Sequence, residues 1–189
     1  MVGALCAGAV AAVVFGAGAG AGVGAGAGTA ATDGYTVAAE GRFAPPTAFI
    51  PSAAVTYDQK LVPAASWIRV RQRTGPGGVT TVDLSVTGFR PGQSYGAYVH
   101  QRPCGASPAD AGGRYQNRPG ADTAQAGPDN EVRLDFTADA KGAGRADVRH
   151  DWGFRQGEAA SVVIQDRPGA EGVRVACFTV PFGWVTGLS

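Results

Sequence analysis

A chain of 189 residues with 44% hydrophobic and 16% charged content holds enough apolar material for a packed core and is not the composition of a disordered polymer. The formal charge of +1, with arginines interspersed among acids along the chain, gives no footprint for nucleic acid. A polybasic nucleic-acid binder is excluded, and one domain plus an appendage is expected.

Residues 1–32 carry no charged side chain, and an apolar run from Val2 to Phe15 leads into a glycine and alanine stretch ending GTAATDG. This is the outline of a signal peptide over 1–31, with the small residues Thr29 and Ala31 suited to cleavage near Ala31, although the usual basic residues at the start are missing. The alternative is a membrane anchor, but the solidly apolar part is shorter than the ~20 residues a span requires. The expected location is therefore secreted or extracytoplasmic, at the cell envelope, with no membrane span after processing. Cys6 would leave with the peptide.

Residues 32–51 are rich in Ala and Pro with little periodicity, and read as a flexible arm. From residue 54 onward, short β-branched or aromatic runs alternate with Gly, Pro and Asp turns, and helical spacing is never sustained. Candidate strands cover 54–58, 66–72, 79–86, 95–101, 131–137, 144–152, 160–165 and 174–180. In VTTVDLSV, Thr80, Val82, Leu84 and Val86 alternate with Val79, Thr81, Asp83 and Ser85, so one face is apolar and Leu84 belongs in the core. Turns follow at GPGG (75–78), RPG (90–92) and DAKG (139–142). The loop 116–130, with Pro119 and Pro128, is long enough to be mobile or functional. Eight closely spaced strands predict an all-β Greek-key sandwich or barrel over 52–182, followed by a tail at 183–189.

Five segments carry more than a fold class: GAYVH, Cys104, GGRY, VVIQD and RVAC, in that order. Together they resemble the copper/zinc superoxide dismutase family, whose pattern is G-x-H-x-H, a loop cysteine, G-[GP]-H-[FYW], V-[VI]-H-E and R-x-A-C. The likeness runs from about residue 54 to 182. It implies the eight-stranded Greek-key β-sandwich of that family and places the four copper-ligand positions at Tyr98, His100, Arg114 and Gln165. It also puts the anion-guiding arginine at Arg174 and a disulfide between Cys104 and Cys177. With Cys6 removed, two thiols remain in an oxidising compartment, and closing a loop of ~70 residues would stabilise the fold by roughly 4 kcal/mol. Two unrelated buried cysteines are the alternative.

The matched framework lacks the family's donor set. Only His100 offers an imidazole; a guanidinium at Arg114 donates only, Gln165 has a weak amide oxygen, and Tyr98 a phenol with a pKa of about 10. The interval after Arg114 contains no histidine, leaving Asp122, Asp129 and Glu131, which do not make the Cys/His set zinc prefers. No cofactor is therefore expected. The resulting expectation is an exported superoxide dismutase-like domain that has lost copper and zinc and acts as a noncatalytic binding or structural domain. The alternative is an active copper-dependent dismutase using His100 and non-standard ligands, with copper as cofactor and Arg174 drawing in superoxide.

Arg114, Arg174, Tyr98 and His100 at the mouth of the former cup would suit a small anion. His150, in RHDWGF, reads as a surface or turn histidine. The spelling GQSYG (92–96) matches a nucleophile elbow, but a Pro-Gly turn followed by a strand is not its strand–turn–helix context. Oligomeric state is not encoded in any of these segments.

Overall fold

Strand alternation decides the architecture of the computed structural model, which describes residues 34–120 and 127–183. The signal-peptide reading of 1–31, Cys6, Asp122 and the tail beyond residue 183 lie outside the described residues. In β4 (Thr80–Thr87), Val82, Leu84 and Val86 are buried while Thr81, Asp83 and Ser85 face outward. In β3 (Trp67–Thr74), Ile68, Val70 and Gln72 point inward, and Trp67, Arg69, Arg71 and Arg73 point outward. With β1 (Tyr35–Arg42) and β7 (Gly144–His150), these strands form an antiparallel four-stranded sheet in the order β1-β3-β4-β7.

The second sheet has the order β2-β9-β8-β5-β6, built from β2 (Ala54–Thr56), β5 (Ser94–His100), β6 (Phe136–Thr137), β8 (Ser161–Gln165) and β9 (Arg174–Thr179). Its ladders are also antiparallel, with a bulge in the β8–β9 pairing at Ile164/Gln165. One core joins the two sheets: Ile68, Val70, Leu84 and Val86 from the first pack with Ala97, Val99, Val162, Ile164 and Phe178 from the second. Fully burying a side chain such as Leu84, 1% exposed, contributes about 2 kcal/mol. Phe89 anchors one end of this core, with T-shaped contacts to Phe43, Tyr95 and Phe136. The described residues are thus nearly all-β, a sandwich of two antiparallel sheets with only short 3-10 turns besides.

Three sequence expectations need correction. Residues 35–42 are not an arm but a full strand, paired along its length with β3 from Tyr35↔Thr74 to Arg42↔Trp67. Its inward residues include Val37, Ala39 and Gly41, whose small side chains give a weak alternation signal at a sheet edge. The segment 131–137 is a regular strand only at Phe136–Thr137. Upstream of it, the chain follows the edge of β5 through single hydrogen bonds, Val99 N–H to Val132 O at 3.2 Å and Leu134 N–H to Ala97 O at 2.8 Å. His150 is not a surface residue: it ends β7 buried at 7% exposure, its ring stacked on Trp152 with centroids 4.2 Å apart.

Candidate functional site

The outer face of the five-stranded sheet gathers the residues singled out from sequence. Strand register sets Gly96, Gln165 and Arg174 in one row across β5, β8 and β9, and Tyr98, Val163 and Cys177 in the next. His100 begins a third row, opposite Ser161. Arg114 arrives from the loop after β5 through an antiparallel bridge with His100. Alternation therefore delivers Tyr98 and His100 to the same face, two residues apart, while Val99 between them enters the core.

Arg114 is the hub. Its guanidinium carbon lies 3.5 Å from the centre of the Tyr98 ring. Nη2 donates to Gln165 Oε1 at 3.1 Å and to the Gly169 carbonyl at 2.5 Å, while Nη1 reaches Glu131 Oε2 at 3.3 Å. Glu131 is 3% exposed and also accepts from Arg133 at 3.0 Å, so a buried carboxylate is held between two guanidiniums. The Tyr98 hydroxyl accepts the Gly169 N–H at 2.6 Å. The N–H and the carbonyl of Gly169 are thereby both fixed, and the loop after β8 is clasped to the sheet. Burial, more than any other influence, pushes the Tyr98 phenol pKa up.

His100 and Arg174 form the other half. The His100 Nδ1 lies 3.0 Å from the Gly112 carbonyl, which can only accept, so Nδ1 carries the proton and Nε2 holds the lone pair. Nε2 is buried without a hydrogen-bond partner among the described residues. Burial is the main cause lowering the imidazole to a pKa of about 4; the Gly112 carbonyl opposes this and the nearby charges of Arg174 and Arg114 add to it. Arg174 donates to the same Gly112 carbonyl at 2.9 Å and to the Pro108 carbonyl at 2.8 Å. Its own pKa is lowered by burial and then by Arg114, as expected of two cations sharing one region. An open depression of about 360 Å³ beside it is lined by Pro108, Ala109, Gly112, Val173 and Arg174.

The donor chemistry does not fit copper or zinc. One imidazole nitrogen is free, the Gln165 oxygen is engaged by Arg114, and a permanent cation occupies the centre of the group. Among the described residues, no three His, Cys, Asp or Glu side chains cluster as a metal would require. Glu131 is committed to its ion pairs with Arg114 and Arg133. Arg114 and Arg174 each direct both terminal nitrogens at protein acceptors.

Cys104 and Cys177 are joined as a disulfide spanning 73 residues, which is consistent with an oxidising compartment. The bond ties the loop after β5 to β9, beneath the Tyr57 ring, whose hydroxyl donates to the Gly105 carbonyl at 2.9 Å. Among the described residues, no helix is long and apolar enough to cross a membrane. Ser94 opens β5 rather than a strand-to-helix elbow, and its Oγ shares a hydrogen bond with Thr137 Oγ1 at 2.8 Å.

Sequence reasoning missed a second clamp of the same construction. Arg155 lies 4.8 Å from the Tyr115 ring centre, donates to the Gln116 carbonyl at 2.9 Å and to the Asn117 carbonyl, and pairs with Glu158 at 2.7 Å. Its sequence neighbourhood, FRQGE, carries no signal of this; only the aromatic that follows Arg114 hints that a cation would be needed there. No family model matches this chain, and no curated protein matches its sequence.

Proposed function

We propose that this chain is an exported, noncatalytic domain of the copper/zinc superoxide dismutase type, in which the positions of a metal site have become a structural plug centred on Arg114. The strand orders β1-β3-β4-β7 and β2-β9-β8-β5-β6 support a Greek-key connection pattern, because β5 and β8 pair across a long excursion through β6 and β7. The matched positions support it further: Arg114 touches both Tyr98 and Gln165, and His100 is bridged to Arg114. The contact of the Arg114 guanidinium with Tyr98 and Gln165 is the observation that carries the reading. A cation held by acceptors and a ring fills the place where donors would converge on a metal. The domain's role is then to present a rigid, disulfide-locked surface outside the cytoplasm.

Metal content and superoxide dismutation, measured together on copper-loaded protein, test this. The expected result is substoichiometric copper and no activity. Stoichiometric copper with activity abolished by His100→Ala would establish a working dismutase instead. The combined changes Tyr98→His, Arg114→His and Gln165→His are expected to create copper affinity, because four imidazoles would then face one another; failure of the folded triple variant to bind copper would break the residue matching.

A further inference from the structure

Two groups of arginines stand apart in this protein. Arg114, Arg133, Arg155 and Arg174 fix loops or buried acids. A second set stands on the outer face of the four-stranded sheet. Alternation puts Arg42, Arg69, Arg71, Arg73, Arg145 and Arg149 there against Glu40, Asp83 and Asp147. Six cations against three carboxylates leave that face at +3, whereas the whole chain carries +1. Asp83 is paired with Arg73 at 2.8 Å. Arg69, Arg71 and Arg145 have no ion-pair or side-chain hydrogen-bond partner among the described residues.

Register then builds a site from these unpaired groups. Arg69, Ser85 and Arg145 form one row across β3, β4 and β7, and Arg71 and Asp83 lie in the adjoining row. Neighbouring strands run about 4.8 Å apart, so Arg69 and Arg145 flank the Ser85 hydroxyl at roughly 10 Å between their backbones, the width of one carboxylate held by two forks. A depression of about 240 Å³ is lined by Arg69, Arg71, Asp83, Ser85 and Arg145. Trp67 precedes Arg69 on the same face, partly buried, and has no ring partner among the described residues. The face thus combines unpaired guanidiniums, hydroxyls from Thr81, Ser85 and Thr87, carboxylates, and an aromatic plate.

We propose that this face binds an acidic polysaccharide, with a uronate carboxylate held between Arg69 and Arg145 over Ser85 and a sugar ring laid on Trp67. The three carboxylates decide the class of polymer. They accept hydrogen bonds from sugar hydroxyls, donors that a deoxyribose-phosphate backbone does not offer. The site is independent of the Arg114 plug: failure of the plug would appear in metal content, and failure of this site in glycan binding.

Calorimetric titration of the disulfide-intact protein with oligogalacturonate, neutral dextran and oligothymidylate at low salt is the test. Oligogalacturonate is expected to bind and dextran not to. The pair Arg69→Ala and Arg145→Ala is expected to weaken binding roughly tenfold or more, since two charge-assisted contacts are lost. Trp67→Ala should weaken it too, while Arg90→Ala, in an exposed turn, should leave it unchanged. Arg69→Lys, which keeps the charge and the strand, is expected to fall between wild type and alanine. Absence of oligogalacturonate binding, equal affinity for oligothymidylate, or an equal loss in Arg90→Ala would each overturn the proposal.

Discussion

The guanidinium of Arg114 covers the ring of Tyr98 at 3.5 Å, and the two side chains hold Gly169 at both of its backbone polar groups, Tyr98 through the N–H and Arg114 through the carbonyl. A cation, an aromatic and a loop carbonyl therefore form one unit. Arg114→Ala removes the ring contact, frees the loop after β8 and leaves Glu131, 3% exposed, with Arg133 as its remaining ion-pair partner. With Arg133 still neutralising the carboxylate, the loss is that of a hydrogen bond to a charged group, about 2 kcal/mol. Urea denaturation of oxidised protein is expected to show a loss of this order. Unchanged stability would mean the plug does not support the fold.

Tyr98→Phe separates the ring from its hydroxyl. The phenylalanine keeps the cation–π contact but leaves the Gly169 N–H without its acceptor, at a cost of about 1 kcal/mol. Hydrogen exchange at Gly169 should quicken while that at Val99, hydrogen-bonded to Val132 at 3.2 Å, holds. Equal protection of Gly169 in both proteins would show that the hydroxyl does not hold the loop.

What the sequence made legible follows from how each feature is encoded. The β4 strand declares its faces because Val82, Leu84 and Val86 alternate with strongly polar neighbours, whereas β1 hides behind alanine and glycine. The convergence of Tyr98, His100, Arg114 and Gln165 was readable because motif spacing follows strand register. Their wiring was not: that Arg114 would find Gly169 and Glu131, 55 and 17 residues away, depends on loops whose paths carry no periodic pattern. The arginines looked interspersed along the chain because Asp83 and Asp147 come from other strands; only pairing of β3, β4 and β7 collects Arg69, Arg71 and Arg145 on one surface.

The disulfide should carry a large share of the stability. Closing a loop of 73 residues corresponds to about 4 kcal/mol in the chain-entropy model. The double variant Cys104→Ser, Cys177→Ser is expected to lose stability of that order, and wild-type protein unfolded in reductant should match it. Coincident denaturation curves with and without reductant, after thiol titration confirms reduction, would refute this.

Acid sensitivity should run through His100. Its pKa is about 4 in the folded protein against 6.5 for the free side chain, so between these values the unfolded chain binds more protons. Stability contributed by the neutral ring is thus full above pH 6.5 and is lost as pH falls toward 4. At about 1.4 kcal/mol per unit, the contribution reaches about 3 kcal/mol at most. His150, lowered chiefly by burial, acts in the same direction. Urea midpoints followed from neutral pH downward should decline more steeply in wild type than in His100→Asn. Identical pH slopes would remove His100 as the cause.

Gly96 tests the tightness of the same unit from beneath. It lies in β5 opposite Gln165, and a Cβ there would come within 2.6 Å of the Arg167 carbonyl, 2.8 Å of Tyr98 Cε2 and 3.0 Å of the Tyr98 hydroxyl. Its need for glycine is spatial, unlike Gly92, where φ is +72° and nothing lies within 4 Å. Gly96→Ala must push the tyrosine toward Arg114 or lift the loop, and overpacking of this kind costs about 2 kcal/mol. Gly92→Ala strains only its own turn, at about 1 kcal/mol. Both variants should melt lower, but only Gly96→Ala is expected to speed amide exchange at Gly169. Exchange quickened equally by Gly92→Ala would show that the loop responds to general destabilisation and not to the packing of Tyr98.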